Sequence, residues 1–266
     1  MTFDESVIDI LKEAGRIMTD SHDVERVTEV KPGDVNFVTA YDVAVQRFLQ
    51  TKLSALLPGV KYLAEEDEVH ILTDDPTFII DPFDGTTNFI HGLGHSCISV
   101  ALCEGGETTR AFIYDPYREE LFTAVKGEGA YSHRNGKKTK LSVSSHGLKD
   151  SLVAVGTDPY RKSETWPLTM DIFAKLLLAG RDLRRSGSAA LDLAYLAAGR
   201  YDLFFELMLS PWDYAAGMLL ITEAGGVITT MDKKPLPMGQ KCSVVAGTPA
   251  AHGDFYRDIR VADRPH

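Results

Sequence analysis

Apolar residues recur at helical spacing in two N-terminal segments of the chain. Residues three and four positions apart share one face of an α-helix, so each stripe predicts an amphipathic helix that packs on a core. Between the stripes, the passage EVKPGDVNFVTAYD contains a Pro-Gly interruption and brings Thr39 and Asp42 to the start of the second helix. The first stripe consists of Val7, Ile10, Leu11, Ala14 and Ile17, and the second of Val45, Phe48, Leu49, Leu53 and Leu56.

Beyond Asp81 the pattern changes to short β-rich runs that Gly and Pro separate. The runs SCISVALCEGG, TRAFIYDP and ELFTAVKGEGA predict strands of a largely antiparallel sheet. From about Ser151, strand-like runs alternate with helical patterns such as TMDIFAKLLLAG and WDYAAGMLLITEAGG. We therefore expect an α+β fold in which helices are sandwiched with two sheets. With no repeat or obvious linker, two interlocked halves, 1–146 and 147–266, are predicted to form one integrated unit.

Composition adds limits to this picture. With 266 residues and 44% hydrophobic content, the chain has enough apolar area for a sizeable core. No run approaches the roughly 20 apolar residues that span a bilayer, and the acidic start MTFDESVIDILKEAG is unlike a signal peptide. Cys97, Cys103 and Cys242 form no C-x-x-C pair, which disfavours a zinc site or a disulfide framework. We expect a cytoplasmic protein that does not associate with membranes.

The chain is acidic, with a formal net charge of −10 from 38 acidic and 28 basic residues. Such a surface repels phosphate backbones, so a nucleic-acid partner is not expected. Two short basic clusters interrupt this charge, and short runs of this kind are usually solvated faces. The alternative for the first cluster is a partner-binding role. The clusters are Arg181, Arg184 and Arg185, and Lys137, Lys138 and Lys140.

The stretch TFIIDPFDGTTNFIHG is the first candidate for chemistry. Residues 78–80 predict a buried strand whose end presents Asp81, and ligand sites concentrate where strands end. Pro82 fixes one φ angle, which helps to hold Asp81 and Asp84 in one geometry around a cation. If a helix begins at Gly85, its first N–H groups can receive an anion. Taken alone, the motif favours plain turn and N-cap residues, because Asp, Pro and Gly are ordinary turn formers.

Further acidic residues occur in similarly marked places. In YLAEEDEV the four acidic residues at 65–68 follow a short apolar run, and we expect three of the four to lie in a solvated loop. In SPWDYAAGMLLITEAGG, Ser210, Pro211 and Asp213 are predicted as N-cap, first helical residue and capping-box acid. Capping alone would be a sufficient role for Asp213.

Together, DPFDGTTNF and WDYAAGMLLITEAGG resemble the two signature motifs of the inositol monophosphatase family, which are metal-dependent, lithium-sensitive phosphatases. The likeness extends to VTAYD at 38–42, to the Glu-Glu pair at 65–66 and to GSAALDLAYLAAGRYDLFFE at 187–206, in the family's order. It implies an α/β/α/β/α sandwich of the sugar-phosphatase type and a homodimer. The sequence departs from the family pattern at Ala64, in place of glycine, in a short loop before Asp81, and at Phe83, in place of an aliphatic residue.

The resemblance also implies a site for two to three Mg²⁺ ions. Glu65, Asp81 and the backbone carbonyl of Phe83 match the ligands of one ion. Asp81, Asp84 and Asp213 match the ligands of a second, and Glu65 is expected to share a third, looser ion. Because position 83 serves through its carbonyl, phenylalanine there is compatible with the site.

The catalytic and substrate-binding residues follow from the same resemblance. Thr86 and Asp42 match the pair that orients and deprotonates the attacking water, with Glu65 as a further catalytic residue. Since threonine is a poor base by itself, we expect Thr86 to relay the proton to Asp42. Lys31 matches a family lysine near the metals. The residues matching the phosphate-binding turn are Asp84, Gly85 and Thr86, and those matching the pocket for the alcohol are Gly187, Ser188, Ala189 and Glu206.

The implied reaction is hydrolysis of a phosphate monoester, most simply inositol monophosphate. Metal ions between an acidic protein and an acidic ester remove the repulsion and stabilise the charge that develops in this very slow reaction. His91 and His95 lie near the motif, but without an H-E-x-x-H pattern they are left out of the mechanism.

Several alternatives to this reading remain. Fructose 1,6-bisphosphate, histidinol phosphate and 3′-phosphoadenosine 5′-phosphate are alternative substrates within the superfamily. A regulatory binding protein on a phosphatase scaffold is the alternative that is not an enzyme.

Overall fold

The two predicted N-terminal helices form an outer layer of the protein. Helix α1 spans Phe3–Thr19 and helix α2 spans Ala40–Leu56, and a threonine capping box begins each of them. Their buried residues pack on one face of a large sheet, as the apolar stripes predict. The computed structural model describes residues 1–21, 28–30, 37–68, 70–159 and 161–259.

The large sheet has seven strands whose spatial order follows the chain. Its strands pair antiparallel, as predicted, except that β3 and β4 are parallel. The short strands β1 (Thr28–Val30) and β2 (Phe37–Thr39) form a separate antiparallel pair. The strands of the large sheet are β3 (Lys61–Ala64), β4 (Thr77–Asp84), β5 (Cys97–Glu104), β6 (Glu107–Asp115), β7 (Glu120–Val125), β8 (Gly129–Arg134) and β9 (Lys137–Lys140), with the short helix α3 (Thr86–Ile90) after β4.

A second, mixed sheet of five strands is built from the C-terminal part, in the order β11-β10-β12-β14-β13. Strand β10 lies parallel to β11 and β12, whereas β14 is antiparallel to β12 and β13. Its strands are β10 (Leu152–Val155), β11 (Asp182–Arg184), β12 (Leu203–Leu209), β13 (Val227–Thr229) and β14 (Cys242–Gly247). The accompanying helices are α4 (Lys162–Ala179), α5 (Ala189–Ala197), α6 (Pro211–Glu223) and α7 (Pro249–Asp258).

The layers follow from the two-residue period of the strands. In β12, Phe204 packs inward with α5 and α6, while Phe205 packs outward with α4 and α7. In β4, Ile79 faces α5 and α6, while Phe78 faces α1 and α2. Both sheets are thus buried on two faces, and the order of layers is α/β/α/β/α, which confirms the expected fold class. Across the described residues, every helix is too short or too polar to cross a lipid bilayer.

The inner core joins residues from both parts of the chain. Ala101 of the first sheet and Phe204 of the second belong to one cluster, with α5 and α6 between them. Because α5 and α6 lie between the sheets, their N-terminal ends reach the edge where β4 ends. This arrangement brings residues that are distant in the sequence to one place. The division into halves at residue 146 stays a prediction.

Candidate functional site

The first two carboxylates of the site are brought together by a bulge in β4. Asp81 pairs with Ser99 and Asp84 with Cys97, so β4 contains one more residue than β5 over this interval. Residues three apart in a regular strand point to opposite faces, and the extra residue brings both aspartates to the same side. Pro82 lies inside the bulge, where its missing N–H breaks no regular ladder bond. Asp81 Oδ1 also accepts the Phe83 N–H at 2.9 Å, which holds the turn.

The third carboxylate comes from the start of α6. Asp213 accepts the N–H of Ser210 at 2.6 Å, which confirms that it is a capping residue. Ser99 on β5 donates to the carbonyl of Trp212 at 3.2 Å and fixes this helix start to the first sheet. Carboxylate oxygens of Asp81, Asp84 and Asp213 lie within 4.8 Å of one another. The capping role and the ligand role are therefore compatible in one side chain.

Burial and mutual repulsion raise the pKa values of this cluster. Burial, followed by the charge of Asp84, raises the pKa of Asp213 to about 8. Burial also raises the pKa of Asp81, with further contributions from the charges of Glu65, Asp84 and Asp213. Glu65 lies beside this cluster because its N–H donates to the carbonyl of Ile80 at 3.1 Å. A set of buried, hard oxygen donors with excess negative charge suits a cation such as Mg²⁺.

Asp84 is fixed from the C-terminal part of the chain. Its Oδ2 accepts hydrogen bonds from the hydroxyl of Ser188 and, at 2.8 Å, from the N–H of Ala190 at the start of α5. Both donors engage the same oxygen, so neither of these two hydrogen bonds occupies Oδ1. The Ser188 side chain is buried, at 1% exposure, and serves to orient Asp84.

Thr86 and Asp42 form a direct hydrogen bond. The Thr86 hydroxyl lies 3.2 Å from Asp42 Oδ1 and 3.1 Å from the carbonyl oxygen of Phe83. The other Asp42 oxygen accepts the N–H of Thr39 at 2.9 Å and the Thr39 hydroxyl, because Asp42 also caps α2. Burial raises the pKa of Asp42 to about 6. The geometry thus provides a hydroxyl together with a buried carboxylate that can accept a proton.

Gly85 begins α3 in a conformation that suits glycine. Its φ is +94°, and a Cβ there would lie 3.1 Å from the carbonyl oxygen of His95 and 3.2 Å from that of Gly187. Both the left-handed backbone and the close packing therefore need the absence of a side chain. The expected helix start at this position is confirmed.

The cluster opens into a cavity of about 480 Å³. Glu206 of β12 also lines the cavity, and burial raises the pKa of its carboxyl group to about 7. Glu206 accepts the N–H of Asp158 at 2.9 Å, and Gly156 makes room for it, since a Cβ there would lie 1.9 Å from the carboxylate. Every proposed ligand and pocket residue except Asp42 lines this cavity, namely Glu65, Asp81, Phe83, Asp84, Gly85, Thr86, Gly187, Ser188, Ala189, Glu206 and Asp213.

Comparison with known proteins identifies this arrangement. Residues 2–263 match the model of the inositol monophosphatase family. The chain belongs to this family. It is 34% identical over 252 residues to an inositol-1-monophosphatase of Bacillus subtilis, covering 93% of this chain and 92% of the relative. It is 40% identical over 220 residues to Nus factor SuhB of Salmonella typhimurium, covering 82% and 81%.

A solved structure agrees over almost the whole chain. The extragenic suppressor protein suhB of Bartonella henselae superimposes with a TM-score of 0.87 at 30% identity, covering 97% of this chain and 98% of that one. Family membership makes the protein a phosphoric monoester hydrolase of a metal-dependent class. The family resemblance and the enzyme class inferred from sequence are thereby confirmed.

The cavity of this inositol monophosphatase family member contains cationic residues that the sequence did not single out as ligands. Arg161, Arg185 and Lys241 line it beside the carboxylates. Arg185 donates to Thr157 Oγ1 at 3.0 Å, whereas Arg181 and Arg184 pair with surface carboxylates. The predicted basic cluster is thus divided, and only its third arginine lines the cavity. Arg185 lies two residues before the GSAALDLAY motif, and this position could have indicated that it belongs to the pocket.

Asp192 is a second residue that sequence reasoning missed. It lines the cavity at 2% exposure, and its Oδ1 has no hydrogen-bond partner in the described part of the chain. Burial raises its pKa well above the usual value. Asp192 follows Ser188 by four residues, so helical periodicity could have placed both on one face.

The remaining predicted residues have these outcomes. Residues 65–68 lie in a loop after β3, where Glu68 is exposed and Glu65, Glu66 and Asp67 are half-buried. Asp67 accepts hydrogen bonds from Gln46 and Gln50, which tie this loop to α2. His91 and His95 do not line the cavity, and Lys31 lies outside the described residues. All three cysteines are buried free thiols.

Proposed function

We propose that this protein hydrolyses inositol monophosphate to inositol and phosphate with Mg²⁺ as its cofactor. The observation that carries the proposal is the buried cluster of Asp81, Asp84 and Asp213, with oxygens within 4.8 Å of one another. Three negative charges this close repel one another unless cations lie between them. The similarity to an inositol-1-monophosphatase of Bacillus subtilis supports the choice of substrate.

In this proposal, Glu65, Asp81 and the Phe83 carbonyl would hold one Mg²⁺, and Asp81, Asp84 and Asp213 would hold a second. Glu65 would share a looser third ion. When bound, the ions lower the pKa of water and offset the negative charge of the phosphate. Inhibition by lithium is expected as a property of the family.

The chain's own residues supply the proton path. A hydroxyl has one hydrogen, so Thr86 donates either to the Phe83 carbonyl or to Asp42. In the relay, Thr86 would donate its hydrogen to Asp42 while its oxygen accepts a proton from the attacking water. Asp42 is the final acceptor, since its pKa of about 6 suits a base near neutral pH.

Thr86→Ala is expected to lower kcat about 100-fold, a typical contribution of general base catalysis. The concentration of Mg²⁺ that gives half-maximal activity should stay nearly the same, because the Phe83 carbonyl and the carboxylates remain. Thr86→Ser, which keeps the hydroxyl, is the matched control and should retain most of the turnover. Normal kcat in Thr86→Ala would refute the relay.

The substrate's alcohol is proposed to lie against Glu206 and the turn formed by Gly187, Ser188 and Ala189. Glu206 lines the cavity and would serve as a hydrogen-bond acceptor for hydroxyl groups of the alcohol. One observation favours a second candidate: Arg161, Arg185 and Lys241 also line the cavity, and cations there suit a second phosphate. Fructose 1,6-bisphosphate and 3′-phosphoadenosine 5′-phosphate are the candidates with two phosphates.

Phosphate release from four substrates tests the proposal. Inositol 1-phosphate, fructose 1,6-bisphosphate, histidinol phosphate and 3′-phosphoadenosine 5′-phosphate are compared at equal Mg²⁺, with and without lithium. The highest kcat/KM is expected for inositol 1-phosphate. A higher value for either bisphosphate would favour the second candidate, and no release from any substrate would favour the regulatory binding protein.

We also propose a homodimer that acts in the cytoplasm, on the basis of the family and the three free thiols. The charge of −10 disfavours a nucleic-acid partner. The name of the Salmonella relative, Nus factor SuhB, is not that of a hydrolase, so a second role deserves its own test. A variant without turnover can be expressed in cells that lack the protein. Restored growth of these cells would show a role that does not need hydrolysis.

A further inference from the structure

A second cleft lies outside the carboxylate cavity, between α1 and the hairpin formed by β8 and β9. Its volume is about 490 Å³, and none of its described lining residues also lines the carboxylate cavity. We call it the basic groove. The charged side chains along it, histidine apart, are Lys12, Arg16, Glu119, Arg134, Lys137 and Lys138.

The arrangement of cations in the basic groove is unfavourable for the protein alone. Lys12 and Arg16 are four residues apart on α1, a spacing at which like charges repel, and Asp9 and Glu13, each three residues before one of them, offset part of this repulsion. Arg134 and Lys137 are direct cross-strand partners in the hairpin, where like charges also repel. Both walls of the groove therefore carry a repulsion that a bound anion would remove.

The cations of the second wall, Arg134, Lys137 and Lys138, lie on a hairpin with a regular turn. Asn135 and Gly136 have φ angles of +51° and +73°, the conformation of a two-residue type I′ turn. Lys138 lies over the ring of Tyr131, with Nζ 4.2 Å from the ring centroid. The cationic wall is thus presented by a regular hairpin rather than by a loose loop.

The cations of the groove are not neutralised by the protein. Among the described residues, none of the five forms an ion pair, although the chain as a whole carries a charge of −10. Within the part of the chain that the structure describes, Glu119 is the one carboxylate along the groove. Burial and the charges of Lys138 and Lys12 lower the pKa of His133, which lies within the same wall. The field inside the groove is therefore positive.

The floor of the groove is apolar and closely packed. It is formed by Tyr114, Pro116 and Leu121, all of them buried. Gly15 lets α1 approach this floor, since a Cβ there would lie 2.6 Å from the Tyr114 ring. An apolar floor below a ring of cations can bind a ligand that has both an organic part and several negative charges.

We propose that the basic groove binds a small molecule that carries two or more phosphate groups, with its organic part on the Tyr114 floor. The volume lies in the range of roughly 300–1,000 Å³ that is typical of small-molecule sites. Five cations from two elements line the groove, so a ligand with two or more phosphates can pair with more of them than a single phosphate can. A nucleic-acid strand would need a basic stripe that continues beyond the groove, and the acidic remainder of the chain argues against it.

Calorimetric titration of the metal-free protein in EDTA tests this proposal. The probes are adenosine triphosphate, inorganic triphosphate and inorganic phosphate, and the absence of Mg²⁺ keeps them from metal-dependent binding in the carboxylate cavity. We expect both triphosphates to bind, adenosine triphosphate more tightly because it covers the floor, and phosphate to bind far more weakly. Equal binding of the two triphosphates would overturn the role of the floor.

The variant Lys12→Gln/Lys138→Gln removes one cation from each wall. We expect it to weaken triphosphate binding about tenfold or more, because two charge-assisted contacts are lost. The matched control is Lys140→Gln/Lys149→Gln, which removes two exposed lysines outside the groove and should bind within about twofold of the original protein, since distant surface charges are screened.

The groove variant should fold normally, because it relieves like-charge repulsion. If its thermal midpoint falls instead, Arg16→Gln/Lys137→Gln replaces it as the test. Equal weakening in the control and groove variants, or no triphosphate binding by the original protein, would overturn the proposal. So would tight binding of an RNA oligomer that triphosphate does not displace. Phosphatase activity is measured separately, so failure of the groove leaves the proposed function untouched.

Discussion

We expect Asp84→Asn to lower kcat by about three orders of magnitude or more, the size of effect that several kcal/mol of lost charge stabilisation produces. Asparagine is nearly isosteric with aspartate, but it cannot both accept the hydrogen bonds from residues 188 and 190 and present an oxygen to the cations. Asp84 Oδ2 accepts hydrogen bonds from the Ser188 hydroxyl and the Ala190 N–H. If the amide oxygen meets those donors, the NH₂ group faces the cations. The reverse orientation buries an NH₂ against the Ala190 N–H.

Phosphate release is measured over a range of Mg²⁺ concentrations to check this prediction. The activity that remains in Asp84→Asn should need more Mg²⁺ for half-saturation. The control is Asp202→Asn, which changes a buried carboxylate outside the cavity that accepts the Leu152 N–H at 2.8 Å. That control should lower the thermal midpoint but keep the Mg²⁺ dependence. Unchanged Mg²⁺ dependence in Asp84→Asn would contradict the proposed second metal site.

Removal of metal is expected to make the protein's stability strongly dependent on pH. In the metal-free protein, burial and the charge of Asp84 raise the pKa of Asp213 to about 8, and the pKa values of Asp81 and Asp84 are raised as well. An unfolded aspartate titrates near 3.9. Between these values the folded state holds more protons than the unfolded state. The stability that these protonated aspartates contribute is fully present below pH 4 and is lost as the pH rises towards about 8.

Mg²⁺ should reverse this trend, because it binds the deprotonated carboxylates. A concentration about 100 times the dissociation constant stabilises by about 2.7 kcal/mol, which is roughly 5–10 °C in thermal midpoint for a chain of this size. We expect that gain near pH 8 and a much smaller one near pH 5.5, where protons compete. The measurement is the midpoint with Mg²⁺ and with EDTA at both values of pH.

The Asp84→Asn variant provides the control for the metal effect. With one charge fewer in the cluster, its metal-free midpoint should vary less with pH and rise less on addition of Mg²⁺. Equal gains from Mg²⁺ at both values of pH in the original protein would show that the cluster is not the binding site.

Local patterns were sufficient for most of the layers. The apolar stripes of α1 and α2 lie where the periodicity places them, because each repeat depends on neighbours three and four residues away. The capping box at Asp213 could be read from four consecutive residues. The parallel pairing of β3 and β4 could not be predicted from the sequence, because a strand shows the same alternation of residues whether its partner is parallel or antiparallel.

In the candidate site, too, some features follow from local sequence and others depend on contacts between distant segments. Turn residues at Pro82 and Gly85 and the helix start before Asp213 already indicate which short segments end in carboxylates. Three features depend instead on contacts between distant elements. The β4 bulge places Asp81 and Asp84 on one side, Ser188 orients Asp84, and Arg185 lines the cavity while Arg184 does not. The basic groove likewise exists only because α1 packs beside the β8–β9 hairpin. Turns and caps form between neighbours in the chain, whereas the convergence of side chains depends on register and packing between distant elements.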